Sequence, residues 1–259
     1  MNELTEMIWI EQRKAIRSRM PIWTALGGLV MPLSIAFLIF VAKNPEISQK
    51  LGLISAKADL LAYSATDWAS YMVLFGQLAA MGGFMLCLMI TSWIFGREFT
   101  DGTLKDMLAV PVQRANILLA KYIVAGIWSA ALVLVMLIAG LTTGALIKLP
   151  AGAIGDILRD TVRVAATAGM AIVVVTPFAL FASMGRGYLL PIGLAILTLM
   201  MTNIVAIIGW GEYFPWAIPG LYAQGKTGLP AASYWIVLFT GLIGMVATYL
   251  WWKYADQNR

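Results

Sequence analysis

Few residues in this chain can do chemistry, and what is missing narrows the options first. Among 259 residues there is no histidine and one cysteine, Cys87. A zinc site of the usual His and Cys ligands cannot be built, and no metal site is expected. Cys87 has no evident base to activate it and reads as a small apolar packing residue. No Gly-x-x-x-x-Gly-Lys-Ser/Thr phosphate loop is present, so the chain has no place of its own for nucleotide chemistry. Two kinds of functional group remain. One is a set of uncharged polar side chains within long apolar runs: Gln77, Thr91, Ser92, Thr198, Thr202 and Asn203. They suit the lining of a solute path, or else interhelical hydrogen bonds of about 0.6–2 kcal/mol each. Asn203 and Gln77 are the most polar of them. The other is a charged segment, Arg97–Lys121, with the makings of a docking element.

The elements that must position these groups follow from where the charges fall. Six stretches lack charge altogether: Met20–Ala42, Trp68–Gly96, Tyr122–Ile147, Val164–Gly185, Gly187–Gly211 and Thr227–Trp252. Each exceeds the roughly 20 residues a helix needs to cross a hydrocarbon core of about 30 Å. Hydrophobic content is 61% and charged content 12%, against about 25% charged in an ordinary soluble protein. The helices of a soluble domain carry a charged outer face; these stretches have none. The fold class is therefore an all-α membrane protein, a single domain over 1–259 with six transmembrane helices. Arg186 between two glycines separates the fourth and fifth spans by a tight reversal. Pro177 should kink the fourth, and Gly82-Gly83 should let helices approach closely.

Residues 1–19 form an amphipathic interfacial helix, with Leu4, Ile8, Trp9, Ala15 and Ile16 on its apolar side and Glu11 and Arg19 interrupting it. The following apolar run is too long for a secretory signal, so the first helix is read as uncleaved. Eleven of the 18 Lys and Arg fall on the side of the two termini, with Arg13, Lys14, Arg17 and Arg19 the strongest group. That excess places both termini in the cytoplasm. Lys43–Asp67 is a polar connection, with Pro45 ending the first helix. Before the sixth span, Trp210–Tyr222 is dense in aromatics and interrupted by Pro215 and Pro219. It is either a short, partly embedded element or a plain interfacial belt.

The loop at 97–121 is the one long cytoplasmic connection. Asp101-Gly102 signals a turn. Thr103 with Asp106 three residues on is a variant capping box that opens a helix at Leu104, and Pro111 stops it. Leu104, Met107 and Leu108 share a face of this short helix. Two turns are not stable alone in water, so the stripe must be buried against the membrane surface, the protein's own helix ends or a soluble partner. Arg97, Glu98, Lys105, Asp106, Arg114 and Lys121 frame it with both signs of charge.

The run Gly96-Arg97-Glu98-Phe99, Gly102-Thr103-Leu104, Leu108, Pro111-Val112, Arg114 and Ile117–Lys121 resembles the loop after the second span in ABC transporter permeases of the type 2 exporter class. It is most similar to the bacitracin and lantibiotic-resistance branch. The likeness extends to the basic N-terminal helix, the six spans and the aromatic segment, but only the loop is specific. It implies a permease subunit of a prokaryotic plasma membrane, without enzymatic activity of its own. Two ATP-binding subunits would bind ATP and Mg, and a second permease copy would complete a homodimer. Residues 103–109 would be the coupling helix, with Glu98, Thr103, Leu104, Lys105, Met107, Leu108 and Arg114 serving the ATPase junction. Residues 1–19 would be the elbow helix. Glu98 matches the acid of the family's Arg-Glu pair, where a local role shaping the loop is favoured over direct ATPase contact. The solute path would run between the two copies, lined mainly by the second and fifth spans.

No charged side chain lies within any uncharged stretch. Such a charge costs about 2.5–3.5 kcal/mol at the bilayer centre, so its absence weighs against a proton- or sodium-coupled carrier. It favours a hydrophobic or amphipathic substrate, such as an antimicrobial peptide, a drug or a lipid. An ion-coupled secondary transporter and a non-catalytic membrane scaffold are the rival readings.

Overall fold

Six helices among the described residues are long and apolar enough to cross a bilayer: Met20–Val41, Trp68–Thr100, Arg114–Leu146, Ile154–Met184, Leu189–Ile208 and Ala231–Tyr254. The computed structural model describes residues 3–43, 67–109, 111–150, 152–225 and 228–255. The polar connection 44–66, with Pro45, lies outside the described residues. In chain order the helices are α1 (Glu3–Arg17), α2 (Met20–Lys43), α3 (Trp68–Leu78), α4 (Phe84–Thr100), α5 (Leu104–Ala109), α6 (Arg114–Leu146), α7 (Ile154–Val175), α8 (Phe178–Met184), α9 (Leu189–Ile208), α10 (Ile218–Ala223) and α11 (Ala231–Tyr254). The described residues contain no strand.

The second and third spans run 33 residues each, about 50 Å of helix against a hydrocarbon core of about 30 Å. The apolar stretches end at Gly96 and begin at Tyr122, but the helices continue through the flanking charges. Those extensions project on the side of the termini and carry α5 between them. Charge marks where a helix leaves the membrane, headgroup layer included, whereas a helix ends only where its backbone hydrogen bonds stop.

Each break has a local cause. Asp67 caps α3, accepting from the Ser70 amide at 2.8 Å. A π-helical turn, Ala79–Gly83, joins α3 to α4 in the middle of the second span. Pro177 interrupts the fourth span between α7 and α8, and Gly244 of α11 packs on it so closely that a Cβ there would lie 2.6 Å from the proline nitrogen. Gly209 ends α9 in the left-handed conformation at φ 88°. The reversal at Gly185–Gly187 places Arg186 at φ 51°.

The core lies between the second, third and fourth spans. Gly140 and Gly144, one turn apart on α6, let α3 approach: a Cβ at Gly140 would fall 2.6 Å from the Phe75 ring. Tyr71 donates to the Gly140 carbonyl at 2.7 Å. Half of the second span's most apolar window is buried, against 11% for the fifth span, which stands at the outer edge. The aromatic segment folds inward as α10, with Ile218, Pro219 and Ala223 buried. Trp216 donates to the Val174 carbonyl at 2.9 Å. Its second half is thus a short element packed into the protein, while Trp210 and Tyr213 of its first half stay exposed.

Candidate functional site

Helix α1 lies along the start of α6, and its buried stripe is Met7, Glu11 and Ala15. Met7 packs with Ile117 and Ala120, with Leu4, Ile8, Met107 and Val112 around them. Trp9 and Ile16, from the same broad apolar side, point outward at 56% and 69% exposure. Glu11, the residue that interrupts the apolar side, is buried for a reason: it meets Lys121. The Lys121 ammonium is fully buried, 2.8 Å from Glu98 Oε2 and 3.4 Å from Glu11 Oε2. It also donates to the Ile94 carbonyl at 2.9 Å. The contact to Glu98 Oε2 is a close ion pair whose angle is not that of a hydrogen bond. Lys14 lies 2.8 Å from Glu11 and 3.5 Å from Glu98, and Arg97 3.7 Å from Glu98. Arg97 stacks over Trp93 at 4.6 Å.

Three segments of the chain therefore meet in one cluster of two carboxylates and three cations. Such groups leave water only when paired. Burial opposes the ionisation of Glu11, but Lys121 and Lys14, with Arg97 behind them, outweigh it and hold its carboxyl below the ordinary 4.5. Glu98 is 1% exposed and faces inward, in keeping with a role in shaping the loop. The signal for the cluster was already in the sequence, as an acid on an apolar helix face and a lysine framing the loop, but no spacing rule joined them.

On α5, Leu104 is buried in the main core and Met107 packs beside it. Of the three surroundings open to the apolar stripe, Leu104 takes the protein's own helix ends. The side chain of Leu108 lies outside what is described. Thr103, Lys105 and Asp106 are exposed. The Thr103 carbonyl accepts from the Met107 amide at 3.1 Å. Arg114 donates to the Trp252 carbonyl at the end of α11, which ties the loop to the last span. A cleft of about 650 Å³ opens between α1 and α5, bordered by Lys14, Arg17, Arg97, Thr103, Asp106 and Tyr188.

The polar candidates within the spans separate into groups. Gln77, Thr202 and Asn203 come together in a pocket of about 170 Å³ on the opposite side of the molecule, next to the π turn, where Gln224 and Trp216 join them. Asn203 is exposed and donates to the Leu199 carbonyl at 3.0 Å. Thr198 and Thr202 bond back to their own helix. Ser92 is buried, its hydroxyl without a partner. Thr91 faces a different cavity, between the third, fourth and sixth spans.

Comparison with known proteins fits this geometry. A model of the family described as ABC-2 family transporter protein matches residues 7–203. The bacitracin transport permease protein BCRB of Bacillus licheniformis is 24% identical over 170 residues, covering 64% of this chain and 82% of that protein.

Proposed function

Because this chain belongs to the ABC-2 family of transporter proteins and forms the membrane subunit of an ABC transporter, we propose that it works as an exporter permease driven by a separate ATP-binding chain. The observation that carries this reading is the exposed, mixed-charge face of α5 beside the cleft to α1, at the base of the two longest spans. That cleft, about 650 Å³, is where a segment of the ATPase would seat. Both chain ends then lie in the cytoplasm of a prokaryotic cell, and two permease copies pair with two ATPases.

Movement of a docked ATPase would pull α5 and, through Glu98 and Lys121, the ends of the second and third spans. Glu11 carries the motion into α1. The path would open between two copies along the second and fifth spans, with Gln77, Thr202 and Asn203 on its far half. Substrate shifts this equilibrium only through its different affinity for the two states. The relative handles bacitracin according to its name, and an amphipathic antimicrobial peptide, drug or lipid suits a pathway without charged side chains. An ion-coupled carrier is disfavoured because the buried ion cluster sits at helix ends rather than at mid-membrane.

The test is co-expression with the candidate ATP-binding subunit. Wild-type chain should retain it through affinity purification and show substrate-stimulated ATP hydrolysis. Lys105→Glu with Asp106→Lys, both exposed, should lose retention and stimulation by about tenfold or more while the permease still purifies intact. Full coupled activity in that double variant would refute the docking role of α5.

A further inference from the structure

Thr91 is out of keeping with its neighbours. Thr24, Thr167, Thr198, Thr202 and Thr240 each return their hydroxyl to a carbonyl of their own helix, as hydroxyls in membrane helices commonly do. Thr91 is 5% exposed, yet its hydroxyl meets no partner among the described residues. The hydroxyl opens onto a cavity rather than being sealed in the protein, and in a membrane interior a donor without an acceptor costs about 1–3 kcal/mol, so an acceptor from outside the protein is implied. What Thr91 faces is a cavity of about 340 Å³, walled by Tyr122, Gly126 and Ser129 of the third span, Val173 of the fourth, and Trp235 and Phe239 of the sixth. Tyr122 is already engaged, donating to Thr248 at 2.8 Å.

The cavity is about twice the size of an engineered apolar cavity of roughly 150 Å³ that binds benzene. Its mouth is formed by Trp235, Phe239 and Leu242, exposed at 58%, 55% and 55% on a membrane-crossing helix. Only what the hydrocarbon supplies can enter there. Depth identifies the acceptor. Thr91 lies seven residues inward from Glu98, about 10 Å of helix. That clears a headgroup layer of roughly 5–8 Å and reaches the edge of the hydrocarbon, where glycerolipids carry their ester carbonyls. No residue of the first or fifth span lines the cavity, so a dimer joined through the fifth span leaves it open to lipid.

We propose that this cavity is a binding site for one acyl chain of a glycerophospholipid, its ester carbonyl accepting a hydrogen bond from Thr91. The lipid wedges the sixth span against the third and fourth, apart from the pocket of Gln77 and Asn203. The site does not depend on the export reading.

The test uses the purified full chain in nanodiscs containing a phospholipid with a photoreactive diazirine on one acyl chain, with crosslinks mapped by peptide mass spectrometry. Trp235, Phe239 and the Ala125–Ser129 segment should label more strongly than Leu33 and Phe37, which face outward on the first span. Gly126 meets nothing within 4 Å of a Cβ built on it, so Gly126→Phe fills the cavity and should cut that labelling by about tenfold, the equivalent of about 1.4 kcal/mol. Thr91→Val keeps the shape and removes the donor; it should reduce labelling severalfold and shorten retention of the lipid in native mass spectrometry. Labelling of the first span and elution as a single species serve as folding controls. Should Gly126→Phe fail them, Thr91→Val decides alone. Cavity labelling no stronger than that of the first span, no loss in Thr91→Val, or crosslinks that join two copies at Trp235 would each overturn the proposal.

Discussion

Lys121 is the residue on which the termini side of the molecule turns. Its ammonium is fully buried and is shared between Glu98 and Glu11. Lys121→Met keeps the bulk but leaves the buried Glu98 carboxylate with only Lys14 at 3.5 Å and Arg97 at 3.7 Å, a change that should cost about 3 kcal/mol. Thermal unfolding in detergent should show a clear fall in midpoint, larger than for Arg159→Met, whose pair with Asp156 is exposed. Glu11 gives the cluster an acid limit. Its carboxyl is held below the ordinary 4.5, so its contribution is fully present above that value and is lost as pH falls through the lowered one. Limited proteolysis at the junction of α1 and α2 should therefore be unchanged from neutral pH down to 4.5 and rise only in stronger acid. In Glu11→Gln that acid step should disappear.

At the scale of the element, α5 is a six-residue helix, too short to hold itself together in water. It is held by what it buries, and Leu104 is its inward anchor. Leu104→Asp would place a carboxylate in the core cluster. That variant should lower yield and melting temperature in the permease alone, before any partner is added. A stable Leu104→Asp permease with only its ATPase coupling lost would mean that Leu104 faces the partner instead. The amphipathic pattern announced that the helix must be buried, but it could not say against what. The same limit applies to α1, where a single apolar side divides into a protein-facing stripe through Met7, Glu11 and Ala15 and an outward pair, Trp9 and Ile16.

At the scale of the whole molecule, the fifth span is the odd one out. Of its residues only Pro191 and Ala195 are fully buried, and it turns Met200, Met201 and Ile204 outward together with Asn203. An amide facing hydrocarbon is costly, and a second copy against this face would shelter it. A cysteine at Met200 in a Cys87→Ala background should form a covalent dimer on oxidation in membranes, while one at Phe37 on the first span should not. Equal crosslinking at both sites would count against pairing through the fifth span.

The sequence by itself determined the number of crossings, the turn at Arg186 and the short helix that opens at Leu104 after the second span. Hydrocarbon is a solvent that acts on every residue of a contiguous run, so its demands are written locally. Tertiary structure decided which groups meet. Glu11 and Lys121 are 110 positions apart, and nothing in either neighbourhood specifies the other. Gln77 and Asn203 share a pocket while Thr91, in the same span as Gln77, faces elsewhere, because the π turn and the packing of neighbouring helices, rather than periodicity, set the direction in which each polar group points.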